Sequence, residues 1–178
     1  EMGTALHAFL EHADFASLAA AKAAGTLEEA ILAERQRQGD TRLGAPEIAE
    51  KLNAGRIRRF AESEAFAKIC AADEVLRELA FITALPAEAV LAAQGTEGVR
   101  AEGEQVLVQG IADLVLVYPD HLELLDYKTD RRKTEADFLR AYRAQLNLYA
   151  LAIDKRFAPK KVTYKGICSL ELGKLIEV

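Results

Sequence analysis

The sequence predicts an α+β fold, and three observations predict it. The chain up to about Ala72 carries helix-starting signals and helical apolar spacing. Strand-like runs then follow one another over 79–128, without intervening helical periodicity. A single long amphipathic helix over 134–157 precedes a closing hairpin. Helices, three strands, a helix and two strands is the segregated order of an α+β domain.

In the first part, Gly3-Thr4 marks a helix start with Thr4 as N-cap. Leu6, Phe9, Leu10 and then Ala13 recur at helical spacing. Gly25-Thr26 marks a second start, and Glu29 three residues after Thr26 completes a capping-box pattern. Breaks are expected at Gly39-Asp40 and at Gly44-Ala45-Pro46. A longer helical stretch then runs to about Ala72, interrupted near Asn53-Ala54-Gly55.

Leu79 to Leu85 reads as a strand ending at Pro86, and the Gly-, Glu- and Gln-rich 94–104 reads as a loop or hairpin tip. Val106 to Val117 is apolar on both faces, as a central strand is. Tyr118-Pro119-Asp120-His121 is a turn, and Leu122 to Lys128 is the next strand. Phe138, Leu139, Tyr142, Leu146, Tyr149, Ala150 and Ile153 form the apolar stripe of the long helix, which Pro159 ends. Val162 to Val178 reads as a final hairpin turning near Leu172-Gly173-Lys174.

The bulk properties set limits. At 178 residues the chain suits one domain, and 51% hydrophobic residues suffice for a core. No apolar run approaches a membrane span. Glu1-Met2-Gly3-Thr4 reads as the interior of a longer polypeptide. Cys70 and Cys168 are too few for a disulfide framework and read as two core thiols in a reducing compartment. The net charge of −5 runs against nucleic-acid binding, which usually shows a basic footprint. Carboxylates gathered at a metal site would account for part of it. Local basic clusters occur at Arg56-Ile57-Arg58-Arg59, Arg131-Arg132-Lys133 and Lys160-Lys161, each readable as a phosphate contact or as a solvated face.

The chemistry concentrates around Pro119-Asp120. If the turn is centred between them, facing residues have numbers that sum to 239. Val117 then faces Leu122, Val115 faces Leu124, and Asp113 faces Asp126. Side chains directly opposite share a sheet face, about 4.5–5.5 Å apart at Cβ. A loop one residue longer or shorter would put the aspartates on opposite faces. Pro119 excludes the type I′ hairpin turn, because its φ is fixed negative, but a four-residue loop built on a type I turn keeps the same pairing.

Two carboxylates facing each other within apolar strands are costly, and a divalent cation removes the cost. Oxygen ligands on a rigid scaffold suit Mg²⁺ or Mn²⁺. Lys128, two residues after Asp126, projects from the same face. Carboxylate and ammonium side by side suit phosphodiester hydrolysis, with the lysine orienting or deprotonating a water and stabilising the transition state.

Gly3-Thr4-Ala5-Leu6-His7, Gly110-Ile111-Ala112-Asp113, Leu125-Asp126-Tyr127-Lys128-Thr129-Asp130 and Gln145-Leu146-Asn147-Leu148-Tyr149 resemble, in order, the four signatures of RecB-family nucleases of the PD-(D/E)XK superfamily. The resemblance is nearest to the C-terminal nuclease domains of the AddA subunits of bacterial AddAB helicase–nucleases. Arg77-Glu78-Leu79-Ala80-Phe81 resembles that group's strand signature, with Ala80 where a proline is common. The resemblance implies a central mixed sheet flanked by helices, a helical N-terminal part, and one nuclease domain over 1–178.

It also implies an ATP-dependent helicase–nuclease of DNA repair and recombination in the bacterial cytoplasm. The partners would be single DNA strands from unwound duplex, helicase domains preceding Glu1 in the same chain, and a second helicase–nuclease subunit. The final hairpin would be a natural C-terminus. By the same resemblance His7, Asp113, Asp126 and the carbonyl of Tyr127 are metal ligands, and Lys128 serves the water. Gln145 and Tyr149, four apart on one helix face, contact the DNA backbone or position Lys128. Arg131 and Arg132 meet phosphates. The four cysteines of the sister subunit's iron–sulfur staple have no counterpart here, so no cluster is expected; His12 and His121 receive no role. The alternative is a non-catalytic DNA-binding or scaffolding module with the same fold. A junction resolvase or restriction enzyme fits less well with His7 and with the Gln145/Tyr149 helix.

Overall fold

Five described helices make up a first unit, formed by residues up to Ala71 together with Tyr127–Arg131 and Cys168–Leu175. The computed structural model describes residues 2–41, 52–96 and 98–178. The helices are α1 (Met2–His12), α2 (Phe15–Ala24), α3 (Leu27–Thr41), α4 (Ala54–Glu62) and α5 (Glu64–Ala71). Each boundary has a local cause. Asp14 caps α2, accepting from the Ser17 amide at 3.0 Å and the Ser17 hydroxyl at 2.6 Å. Gly25 ends α2 in the left-handed region, at φ 77°. Asn53 caps α4 by accepting from the Arg56 amide.

The unit's core gathers three rings, Phe15, Phe60 and Phe66, with centroids 5.6–5.9 Å apart. Tyr127 adds a fourth, 5.6 Å from Phe60. Glu34 is the polar hub. It accepts from the Asp14 amide, from the Arg37 guanidinium and from Gln38, whose amide also donates to the Phe9 carbonyl.

Two expected features differ here. Helix α1 already runs from Met2, so Thr4 lies within it and is not its N-cap. Gly39-Asp40 is no break, since α3 continues to Thr41. The fully buried Gln38 anchors that turn, offsetting the roughly 1 kcal/mol that glycine costs in a helix. Gly44-Ala45-Pro46 lies outside the described residues. Thr26 stands at the expected helix start, with its hydroxyl turned back to the Ala21 carbonyl at 3.5 Å.

The second unit holds most of the sheet. The elements after Ala71 are β1 (Glu74–Pro86), α6 (Ala87–Ala93), β2 (Gln105–Val117), β3 (Leu122–Lys128), α7 (Glu135–Arg156), β4 (Val162–Ser169) and β5 (Lys174–Glu177). Strand order is β1-β2-β3-β4-β5. The first three form an antiparallel meander. Leu122 N donates to Lys161 O and Leu170 N to Lys128 O, so β4 runs parallel to β3, with α7 as the crossover. Val178 N donates to Lys165 O, closing β5 antiparallel on β4. The sheet is therefore mixed.

Helix α7 starts at a full capping box, with Thr134 and Asp137 satisfying each other's amides. Its buried Phe138, Leu146, Ala152 and Ile153 share a core with Phe81, Val108, Ala112, Val115, Leu122, Leu124 and Ile167.

Strand β1 begins five residues earlier than the sequence reading, and α6 was not anticipated. Only the second half of β2 is covered on both faces: Leu114, Val115 and Leu116 are buried, whereas Leu107 and Ile111 are exposed. Cys168 is a core thiol as expected. Cys70, near the end of α5, is exposed and is not.

Candidate active site

The register centred on Pro119-Asp120 is the one the strands adopt. Leu114↔Leu125, Val115↔Leu124, Leu116↔Glu123 and Val117↔Leu122 all sum to 239. The paired ladder stops there, and Asp113 and Asp126 are the next residues along. Asp126 is buried, at 4% exposure, and Asp113 is half-buried.

A second register meets the same place. On β1 and β2 the partners sum to 191, from Glu74↔Val117 to Arg77↔Leu114, and again from Leu79↔Ala112 onward. The one gap is Glu78 opposite Asp113. Glu78 has φ 46°, a left-handed conformation unusual for a residue with a Cβ. Core membership changes parity across the gap. Leu79, Phe81 and Leu85 on β1, with Val108 and Ala112 on β2, belong to the core on one side; Leu76, Val115 and Val117 belong to it on the other. Both strands thus slip by one face where two carboxylates meet, and their oxygens come within 4.8 Å of each other. Sequence reasoning missed Glu78. Its signal was present in Arg77-Glu78-Leu79, a glutamate inside a strand opposite Asp113, but the face change depends on a φ that no residue type announces.

In the helical unit, His7 on α1 directs Nε2 at the Tyr127 carbonyl, 3.0 Å away, with the two rings edge to face. Two ligands at adjacent corners of an octahedral ion with bonds of ~2.0–2.1 Å lie about 3 Å apart, so this spacing fits two neighbouring ligand positions. Carboxylate and carbonyl oxygens suit a hard divalent cation such as Mg²⁺ or Mn²⁺.

Lys128 ends β3 two residues after Asp126 and is half-buried. Tyr149 lies across β2 at Gly110. A Cβ there would come within 2.7 Å of its hydroxyl and 2.8 Å of Phe81, whose ring meets that of Tyr149 edge to face at 4.9 Å. Gln145 stands one turn earlier on α7, half-buried. Arg131 and Arg132 are exposed, and Arg132 is left-handed at φ 60°.

The other basic clusters are occupied. Arg56 pairs with Glu171, Arg58 with Glu28 and Glu62, and Arg59 packs beside Gly173. Lys160 donates to the Tyr118 carbonyl at 2.6 Å, and Lys161 lies 3.7 Å from Asp154. Lys133 sits 4.8 Å over the Tyr142 ring.

The sequence profile of the PD-(D/E)XK nuclease superfamily matches residues 1–174. The chain belongs to this superfamily. Among its relatives are proteins named as subunits of an ATP-dependent helicase/nuclease. That of Heliobacterium modesticaldum is 35% identical over 94% of this chain and 12% of its own length. That of Ligilactobacillus salivarius is 37% identical over 85% and 12%, and that of Lacticaseibacillus paracasei 30% identical over 99% and 14%. The chain thus spans about an eighth of the relatives it matches. The matched stretch runs through the whole site region. No described helix is long and apolar enough to cross a membrane.

Proposed function

We propose that this domain hydrolyses phosphodiester bonds of DNA with the help of a divalent cation, Mg²⁺ or Mn²⁺. The observation that carries this reading is the carboxylate pair Glu78–Asp113, set at a break shared by two strands and followed on the neighbouring strand by Asp126 and Lys128. Asp113 and Asp126 are the principal ligands, joined by His7, the Tyr127 carbonyl and Glu78. A cation held there would neutralise charge on the phosphoryl oxygens and make water a better nucleophile.

The protein's own groups do the rest. Lys128 shares the strand face of Asp126, so its ammonium orients a water and meets the charge that develops in the transition state. Gln145 and Tyr149, on one face of α7, hold the DNA backbone or steady Lys128, and Arg131 and Arg132 contact flanking phosphates. By kinship with the helicase/nuclease subunits, the substrate is a single strand delivered by ATP-driven helicase domains of a longer chain. A second helicase–nuclease subunit would share the work, in double-strand-break repair and recombination in the bacterial cytoplasm.

A melting experiment tests the metal site. A cation that binds only the folded state adds about 2.7 kcal/mol at a hundredfold excess over Kd. For a domain of this size that is roughly 5–11 °C in Tm, at ~2–4 °C per kcal/mol. Mn²⁺ should raise the parent's Tm and leave Asp113→Ala unmoved. A parent that shows no shift, with or without a bound oligonucleotide, contradicts the assignment.

A further inference from the structure

Helices α6 and α7 enclose an open groove of about 490 Å³, whose walls include Gln94, Gly95, Leu139, Arg140, Arg143 and Asn147. No carboxylate lines it among the described residues, although the chain carries five more acidic than basic side chains. Arg140, Arg143 and Asn147 follow at i, i+3 and i+7, on one stripe of α7. Gln145 and Tyr149 lie about half a turn around the helix. The groove is therefore separate from the carboxylate cluster.

Its polar wall is fixed in advance. Asn147 donates Nδ2 to the Ala93 carbonyl at 3.4 Å and accepts from Lys165 of β4 through Oδ1. That amide ties α6, α7 and β4 together. Burial and the nearby Arg143 lower the pKa of Lys165, whose amine therefore stands near one of the two arginines. Arg140 lies 3.8 Å from Asp137, a loose ion pair. An anion in the groove would relieve the repulsion between Arg143 and Lys165. Among the described residues no aromatic ring lines the groove, so it offers bases no aromatic stacking platform.

We propose that this groove binds the phosphodiester backbone of single-stranded DNA, as a sequence-neutral track outside the reaction centre. The proposal rests on the reading of this domain as one that acts on DNA. Its ligand is recognised by phosphate geometry, which guanidinium groups match.

The test is salt-dependent binding of labelled oligothymidylate to the purified protein in EDTA, where no cleavage occurs. Each phosphate contact on a single strand contributes about 0.7 to the slope of log K against log salt. The double variant Arg140→Ala/Arg143→Ala should therefore lower the slope by about 1.4. The charge-matched control Arg100→Ala/Lys161→Ala should leave it at the parental value. Excess inorganic phosphate should not displace the oligonucleotide at matched ionic strength, since a track holds several phosphates at once. An unchanged slope in the groove variant, an equal fall in the control, displacement by free phosphate, or a parent that does not bind would each overturn the proposal. Metal-dependent cleavage by the parent, measured separately, reports on the nuclease reading, so the two can fail independently.

Discussion

Gly110→Ala should destabilise the protein through one side chain. The added Cβ would lie 2.7 Å from the Tyr149 hydroxyl, 2.8 Å from Tyr149 Cζ and 2.8 Å from Phe81 Cζ. Three contacts below 3.0 Å cannot be absorbed by a hydroxyl rotation, because two of them are ring carbons. The Tyr149 ring must tilt away from β2, giving up its edge-to-face contact with Phe81 at 4.9 Å. Such aromatic pairs are worth about 0.5–1.5 kcal/mol, and overpacking costs about 1–3 kcal/mol. Glycine itself is unfavourable in a strand, which offsets a few tenths of this. A net loss of about 1–3 kcal/mol corresponds to roughly 2–12 °C in Tm at this size. The assay is a double-mutant cycle by thermal and urea denaturation. In a Tyr149→Ala background most of the obstacle is gone, so Gly110→Ala should cost much less than in the parent. Equal costs in both backgrounds would refute the packing argument.

Two further predictions concern charge. Burial raises the carboxyl pKa of Glu34, but bonds from Arg37, Gln38 and the Asp14 amide outweigh it, and the net shift is downward. A depressed folded pKa gives stability that is present above the unfolded value and lost as pH falls through the folded one. Urea titrations from pH 7 to pH 3 should show the parent losing this stability in acid. Glu34→Gln should be less stable at pH 7, by about 1.5–3 kcal/mol at most for charged hydrogen bonds, and flatter in acid. A parallel pH dependence of parent and variant would contradict this. Glu78→Gln removes one of two carboxylates within 4.8 Å of each other. Its Tm response to Mn²⁺ should shrink; an undiminished response would remove Glu78 from the ligand set.

The parts of the fold written in local chemistry were legible. Helix α7 announced itself through a long apolar stripe that Pro159 closes. The hairpin register followed from one turn of fixed length, and its paired ladder runs to Leu114↔Leu125, one residue short of Asp113 and Asp126. What stayed hidden depends on contacts distant in sequence or on backbone geometry. Helix α6 has seven residues, most of them alanine, too short for periodicity to show. Gly39 sits inside a helix because Gln38 is anchored to Phe9, 29 residues away. The basic run at Arg56 is partly consumed by Glu171, 115 residues on. Glu78 fell within the strand signature given by the resemblance, but its face change was hidden, because nothing in its residue type announces a positive φ.

The most direct measurement is metal-dependent cleavage of single-stranded DNA by the parent and by Lys128→Ala, both checked for folding and for the Mn²⁺ shift in Tm. Lys128 shares a strand face with Asp126, yet it cannot be a ligand while protonated, so its work belongs to the transition state. The account predicts that the parent cleaves only with Mg²⁺ or Mn²⁺. It predicts that Lys128→Ala keeps its fold and metal response but loses about 10²–10³ in rate, on the scale of a lost oxyanion donor. Cleavage by Lys128→Ala at the parental rate, or a parent that binds Mn²⁺ and single-stranded DNA yet cleaves none, would contradict it and leave a DNA-binding scaffold in its place.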